Sequence, residues 1–155
     1  MLNFFDFEVF KCDWLVVFIN PYTEEKTVIV NDEMELEWFY NQHKDEIFCG
    51  YNSRHYDQYI LKDILLGLDP KALNDYIIND KCAGWTYTDL FQKIQLYNYD
   101  VAKINDGGLK TLESYMGNDI RETSVPFDID RKLTDAELEE TIKYCTHDVE
   151  QLIEV

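Results

Sequence analysis

The chain has 155 residues, the usual size of one domain and enough for a single hydrophobic core. Hydrophobic residues make up 46% of the sequence and aromatic residues 15%, which excludes a disordered acidic tail. The net charge of −17 argues against a protein that binds nucleic acid through general electrostatic attraction, but it allows an acidic metal site or a mimic of nucleic acid.

The first third of the chain predicts strands around one helix. "NFFDFEVF" alternates with period two, "WLVVFIN" is a continuous apolar run, and "KTVIVND" is rich in β-branched residues. Three short strands with tight connections favour an antiparallel meander. "NDEMELEWFYNQHK" then reads as a helix capped by Asn31 or Asp32, and "EIFCGYN" as a short buried strand.

The remainder of the chain predicts mostly helices. An amphipathic helix begins at Asp57, and a second begins at Pro70. "GGLKTLESYMG" predicts another helix, and the last one follows Thr134, with Glu137 completing a capping box. This order of elements predicts an α/β sandwich built on a mixed sheet.

The chain contains no repeat, low-complexity segment or linker, so we expect one domain over residues 1–155. The stretch "TYTDLFQKIQLYNYD" fits neither a helix nor a strand clearly.

The first predicted strand carries two acids on one face. Residues i and i+2 of a strand point the same way, so Asp6 and Glu8 share a face opposite Phe5 and Phe7. Two like charges held together raise each other's pKa unless a cation compensates them, and carboxylates suit magnesium and manganese. A solvated strand edge remains the alternative, because 31 of the 155 residues are acidic.

Two further motifs follow in order. "GYNSRHYD", residues 50–57, follows a predicted buried strand and leads into a helix. "YCTHD", residues 144–148, lies on the last predicted helix, where residues four apart share a face.

The ordered set D-F-E, N-x-x-x-Y-D and Y-x-x-x-D resembles the three motifs of the DEDDy 3′–5′ exonucleases. The second motif is most similar to the proofreading domains of family B DNA polymerases, including phage ones. The resemblance extends from Asn3 to about Leu152. It implies a ribonuclease H-like fold, with a five-stranded mixed sheet whose first three strands are antiparallel, flanked by helices.

The resemblance also implies two divalent metal ions, Mg²⁺ or Mn²⁺, and a role for each motif residue. Asp6 would bridge both metals, Glu8 and Asp148 would complete the first site, and Asp57 would hold the second. Tyr144 would orient the attacking water.

The pattern Y-x-x-x-D occurs more than once in the chain, so the third motif has to be chosen. The pair at 76/80 comes only 19 residues after the second motif, and Gly117 interrupts the pair at 115/119. Tyr144 and Asp148 lie within one predicted helix and are the better choice. His147 is adjacent to Asp148 and about 100° round the helix, so we expect it on the helix surface and not in place of Tyr144.

The resemblance suggests contacts with the DNA strand. Asn52 would touch the 3′-terminal nucleotide, although capping the following helix is an alternative. Phe7 and Tyr56 could stack on terminal bases, although a core position is favoured for Phe7. Arg54 and Lys110 are further candidates, with a simple turn as the alternative role for the segment around Lys110.

The expected partner is the 3′ end of single-stranded DNA, together with replication proteins or the remainder of a DNA polymerase. No Y-x-D-T-D polymerase motif occurs, so polymerase activity is not expected. Either a free-standing exonuclease or a domain of a larger polymerase fits the sequence. An RNA exonuclease of the same superfamily and an acidic DNA mimic without enzymatic activity remain alternatives.

The four cysteines are widely spaced and form no C-x-x-C pair, which argues against a zinc or redox motif. Reduced thiols in an intracellular protein are the simpler interpretation. The start of the chain has no signal-peptide pattern, and no apolar run approaches a membrane span. We therefore expect no membrane contact and a cytoplasmic location, which is the host cytoplasm for a phage protein.

Overall fold

The computed structural model describes residues 1–103 and 125–154. Within these ranges the chain forms five strands and four α-helices. The strands are β1 (Leu2–Val9), β2 (Trp14–Ile19), β3 (Lys26–Val30), β4 (Ile47–Gly50) and β5 (Tyr97–Asp100). The helices are α1 (Glu33–His43), α2 (Asp57–Leu65), α3 (Pro70–Ile78) and α4 (Asp135–Ile153).

The strands form one mixed sheet in the order β3-β2-β1-β4-β5. β1 pairs antiparallel with β2, and β2 pairs antiparallel with β3, whereas β4 is parallel to both β1 and β5. The predicted α/β class with a five-stranded mixed sheet is therefore confirmed. The strand order is not sequential, because β1 lies at the centre, between antiparallel β2 and parallel β4.

Helices cover both faces of the sheet. On one face, Phe5 and Phe18 belong to a cluster that contains buried residues of α1, α2 and α3. On the other face, Leu15 and Val17 pack with Cys145 and other residues of α4. All six residues of β2 are buried because both faces of this strand are covered.

Side chains at the helix ends fix where the helices begin. Asp32 caps α1 by accepting a hydrogen bond from the backbone N–H of Glu35 at 3.0 Å. Asp69 caps α3, which begins at a proline. Thr134 and Glu137 form the predicted capping box at the start of α4. Each such cap contributes about 1 kcal/mol to stability.

The ambiguous stretch contains both a 3₁₀ turn, Asp89–Lys93, and strand β5. The helix predicted over residues 107–117 lies outside the described residues. Among the helices that are described, none is both long and apolar enough to cross a membrane.

Candidate active site

Asp6 and Glu8 lie on the face of β1 that is turned toward α4. They pair in register with Val17 and Leu15, which pack against α4 on that face. Both acids are half-buried, whereas Phe7 between them is buried on the opposite face. The prediction that the two acids share a face, opposite the phenylalanines, is therefore confirmed.

Asp57, the first residue of α2, is hydrogen-bonded to the backbone of β1. Its side chain is buried, and Oδ1 accepts a hydrogen bond from the backbone N–H of Phe7 at 3.0 Å. The pairing of β1 with β4 ends at Phe4, so Phe7 lies beyond the end of that ladder. Asp57 thus takes the place of a strand partner and is held beside the backbone that connects Asp6 to Glu8.

Asp100 fixes the loop that leads to Asp57, and sequence reasoning missed it. It is the buried last residue of β5. Its carboxylate accepts hydrogen bonds from the backbone N–H groups of Asn52 at 2.8 Å, Arg54 at 3.1 Å and Ala102 at 2.9 Å. The only signal in the sequence was an acid at the end of the ambiguous stretch, which did not reveal this role.

Gly50 allows the backbone at the start of this loop to pass close to Ser53 and Phe5. A Cβ atom at Gly50 would lie 2.7 Å from Cβ of Ser53 and 3.2 Å from Cε1 of Phe5. Both neighbours are fully buried, so they have little room to move. A larger residue at position 50 would therefore displace the loop that positions Asp57.

Cys145 of α4 contacts Asp6, and the sequence patterns did not identify this residue either. Its buried thiol lies 3.4 Å from the backbone oxygen of Asp6 and 3.6 Å from Oδ2 of the same residue. Ligand atoms of Asp6, Glu8 and Cys145 lie within 4.8 Å of one another. The position of Cys145 inside the third motif was the available signal, but cysteine is not among the expected ligands.

Electrostatic effects show that the four predicted acids share one neighbourhood. Burial, then Asp57, Glu8 and Asp148, raise the pKa of Asp6 well above its usual value. Burial, then Asp148 and Asp57, raise the pKa of Glu8 to about 8. The pKa of Asp57 is raised to about 7, mainly by burial and also by Asp100. The structure therefore brings together acids from β1, α2 and α4.

This cluster fits hard divalent cations. Carboxylate oxygens are the preferred ligands of Mg²⁺ and Mn²⁺. The raised pKa values of Asp6, Glu8 and Asp57 mean that their ionised forms are unfavourable in the protein alone. A bound cation would remove this penalty, so these residues are chemically suited to hold a metal.

Tyr144 is half-buried on α4, one helical turn before Asp148. His147 is not the surface residue that was expected. It is half-buried, and its Nε2 atom is inaccessible and has no hydrogen-bond partner among the residues described. The reason is that α4 packs against β1 and β2, which leaves only part of its circumference to solvent.

The loop residues predicted to contact DNA are accessible. Asn52 and Arg54 are exposed, and Asn52 has a backbone φ of 57°. The N-cap of α2 is Tyr56, which makes no side-chain capping bond, so Asn52 does not cap this helix. The alternative role considered for Asn52 is therefore wrong, and contact with DNA stays a prediction.

The predicted stacking residues differ in accessibility. Phe7 is 3% exposed and belongs to the core, as favoured from the sequence. Tyr56 is partly buried, and its hydroxyl donates a hydrogen bond to Oδ1 of Asn74 at 2.5 Å. Lys110 lies outside the described residues.

Comparisons of the chain with models of protein families, with curated proteins and with solved structures find no match. The functional assignment therefore depends on the motifs and on the geometry of the acid cluster.

Proposed function

We propose that the protein is a metal-dependent 3′–5′ exonuclease that acts on single-stranded DNA, with a ribonuclease H-like fold and a DEDDy site. One observation carries the proposal. Asp6, Glu8, Asp57 and Asp148 come from three separated segments of the chain, yet Asp57 accepts a hydrogen bond from the backbone between Asp6 and Glu8. Asp57 and Asp148 also both raise the pKa of Asp6 and of Glu8. Such convergence is expected of a functional site.

The four acids would hold two divalent metals, with Asp6 shared between them. Glu8 and Asp148 would serve one metal and Asp57 the other. Two bound metals supply an activated water and stabilise the leaving 3′-oxygen during phosphodiester cleavage. The hydrogen bond from Phe7 and the thiol of Cys145 would hold Asp57 and Asp6 in position.

Tyr144 would orient the attacking water. A tyrosine hydroxyl can both donate and accept a hydrogen bond. The spacing on α4 puts Tyr144 and Asp148 on the same side of the helix. An orienting group beside a metal ligand is consistent with water-activated hydrolysis.

The net charge of −17 implies that the chain attracts DNA weakly by itself. We therefore propose that it acts beside a more basic partner, which would be the remainder of a DNA polymerase or another replication protein. Polymerase activity is not proposed for this chain.

RNA cleavage is the nearest alternative, because the same acids would cut either backbone. A DNA mimic is the alternative of a different class, and the net charge is what favours it. A mimic distributes its acids over an accessible surface, whereas Asp57 here is buried and attached to β1. The burial of Asp57 therefore favours the enzyme.

The test uses single-stranded DNA and RNA, each labelled at the 5′ end, with Mn²⁺ or with chelator. We expect a ladder of 5′-labelled products that shorten with time, release of nucleoside 5′-monophosphates, and a preference for DNA. Preferential cleavage of RNA would show that RNA, and not DNA, is the substrate. Absence of cleavage, combined with a tight complex with a basic DNA-binding protein, would favour the mimic.

A further inference from the structure

A cleft of about 420 Å³ opens directly beside the acid cluster. Glu8, Phe7 and Tyr56 line one part of it, and residues of α3 and Phe127 line the rest. The volume is within the range of pockets that enclose small organic ligands. We propose that this cleft binds a nucleobase of the DNA strand, stacked on Phe127; this inference rests on the proposed function.

Phe127 is built as a stacking surface. Its ring packs on the ring of Phe10, with centroids 5.3 Å apart and planes inclined by 18°. Phe10 is 1% exposed and therefore fixed, whereas Phe127 is 52% exposed. One face of Phe127 is thus supported by the core while much of the ring stays accessible. An exposed aromatic ring held in this way suits a base, because every base has a π face.

Helix α3 and its C-terminal end contribute polar side chains to the cleft, together with the apolar Ile78. The polar side chains are those of Lys71, Asn74 and Asn79. All three side chains bond Oδ1 of Asp75: Nζ of Lys71 at 3.0 Å, Nδ2 of Asn79 at 3.1 Å and Nδ2 of Asn74 at 3.3 Å. Asp75 offsets the charge of Lys71, so the cleft is better suited to an uncharged base than to a phosphate. The amide of Asn79 can hydrogen-bond to a base edge.

The position of the cleft implies that the bound base is close to the phosphodiester that is cut. Glu8 belongs both to the cleft and to the acid cluster. A phosphodiester held at the acids would therefore place a neighbouring base at the mouth of this cleft. Phe127 was not singled out by any sequence motif, so the site adds a residue that the resemblance does not assign.

The test combines a variant with a modified substrate. Phe127→Ala is compared with the parent on oligonucleotides that carry one abasic residue at the terminal, penultimate or third position from the 3′ end. We expect Phe127→Ala to raise KM by about 5- to 100-fold on normal DNA, the scale of one base–aromatic stack. If the base at one of these positions stacks on Phe127, removing that base should raise the parent's KM by a similar factor. On that abasic substrate, Phe127→Ala should cause little further rise in KM.

Trp85→Ala is the matched control, since Trp85 is a 68% exposed aromatic residue that does not line the cleft. It should leave KM unchanged. Phe127→Tyr should retain the parent's KM because it keeps the ring. The inference is overturned if Phe127→Ala and the abasic residue have independent, multiplicative effects at every position, or no effect. Failure of the parent to cut any oligonucleotide would instead reject the proposed function.

Discussion

The backbone N–H of Phe7 donates a hydrogen bond to Oδ1 of Asp57 at 3.0 Å, across 50 positions in the sequence. Phe7 is the residue between Asp6 and Glu8, so this bond fixes the third acid against the strand that carries the first two. The side chain of Phe7 meanwhile anchors the strand in the core on the other face. One residue therefore links the packing of the sheet to the geometry of the site.

Manganese should stabilise the protein through the acid cluster. A ligand that binds only the native state adds about 2.7 kcal/mol at 100 times its Kd. For a chain of this size, that corresponds to a rise in Tm of roughly 5–10 °C. Asp6→Asn should abolish most of this rise, and should itself raise the Tm in chelator by removing repulsion. An unchanged manganese shift in Asp6→Asn would place the binding site elsewhere.

Asp63 should make stability depend on pH without contributing to the metal site. It is completely buried on α2, and neither carboxylate oxygen has a hydrogen-bond partner within residues 1–103 and 125–154. Burial, then Asp69, raise its pKa to about 7. Between pH 4 and 7 the native state binds this proton more tightly than the unfolded state does, so the free energy of unfolding should fall as pH rises through that window.

Asp63→Asn should remove this dependence, because the side chain keeps its size and has no charge. We expect it to match the parent near pH 4 and to exceed the parent's unfolding free energy at pH 8 by roughly 2–4 kcal/mol. Urea unfolding at both pH values measures the difference. Asp80→Asn, at an exposed acid, should change neither value. Equal stabilisation by Asp63→Asn at both pH values would show that ionisation of Asp63 does not cause the pH dependence.

Tyr144→Phe should lower kcat by about 10²-fold, the scale of positioning and acid–base effects. It removes one hydroxyl and no metal ligand, so the rise in Tm with manganese should remain. Tyr76→Phe is the control, because the hydroxyl of Tyr76 pairs with Thr86 and not with the acids. Near-parental activity of Tyr144→Phe, together with inactivity of His147→Ala, would transfer the water-orienting role to His147.

Cys145 should influence metal affinity through Asp6. Cys145→Ser keeps a small hydrogen-bond donor next to Oδ2 of Asp6, whereas Cys145→Ala removes it. We expect the alanine variant to bind Mn²⁺ about tenfold more weakly, which is the lower end of the usual loss when a group supporting a ligand is removed. Serine should restore the affinity. Calorimetric titration measures both, and equal affinities in all three proteins would leave Cys145 only a packing role.

Sequence patterns predicted the parts of the fold that depend on local chemistry. Period-two alternation identified β1, and the Thr134 capping box marked the start of α4. The shared face of Asp6 and Glu8 followed from strand geometry alone. In each case the information lies within a few neighbouring residues.

Contacts between distant segments were not predictable in this way. Asp100 binds the loop around Asn52 from 48 positions away, and Cys145 meets Asp6 across 139 positions. The burial of His147 likewise depends on how α4 packs against the sheet, which helix periodicity does not specify. Asp100 and Cys145 support the site, and only the three-dimensional arrangement identifies them.

The most direct test of the central claim compares Asp57→Asn with Asp63→Asn in the Mn²⁺-dependent shortening of 5′-labelled single-stranded DNA. The two aspartates lie on the same helix, both are buried, and both have pKa values raised to about 7, but only Asp57 bonds β1 beside the acid pair. Asp57→Asn can still accept the hydrogen bond from Phe7, so its fold should survive. We predict that Asp57→Asn loses cleavage while Asp63→Asn keeps the parental rate. Equal activity in the two variants would contradict a metal site that includes Asp57.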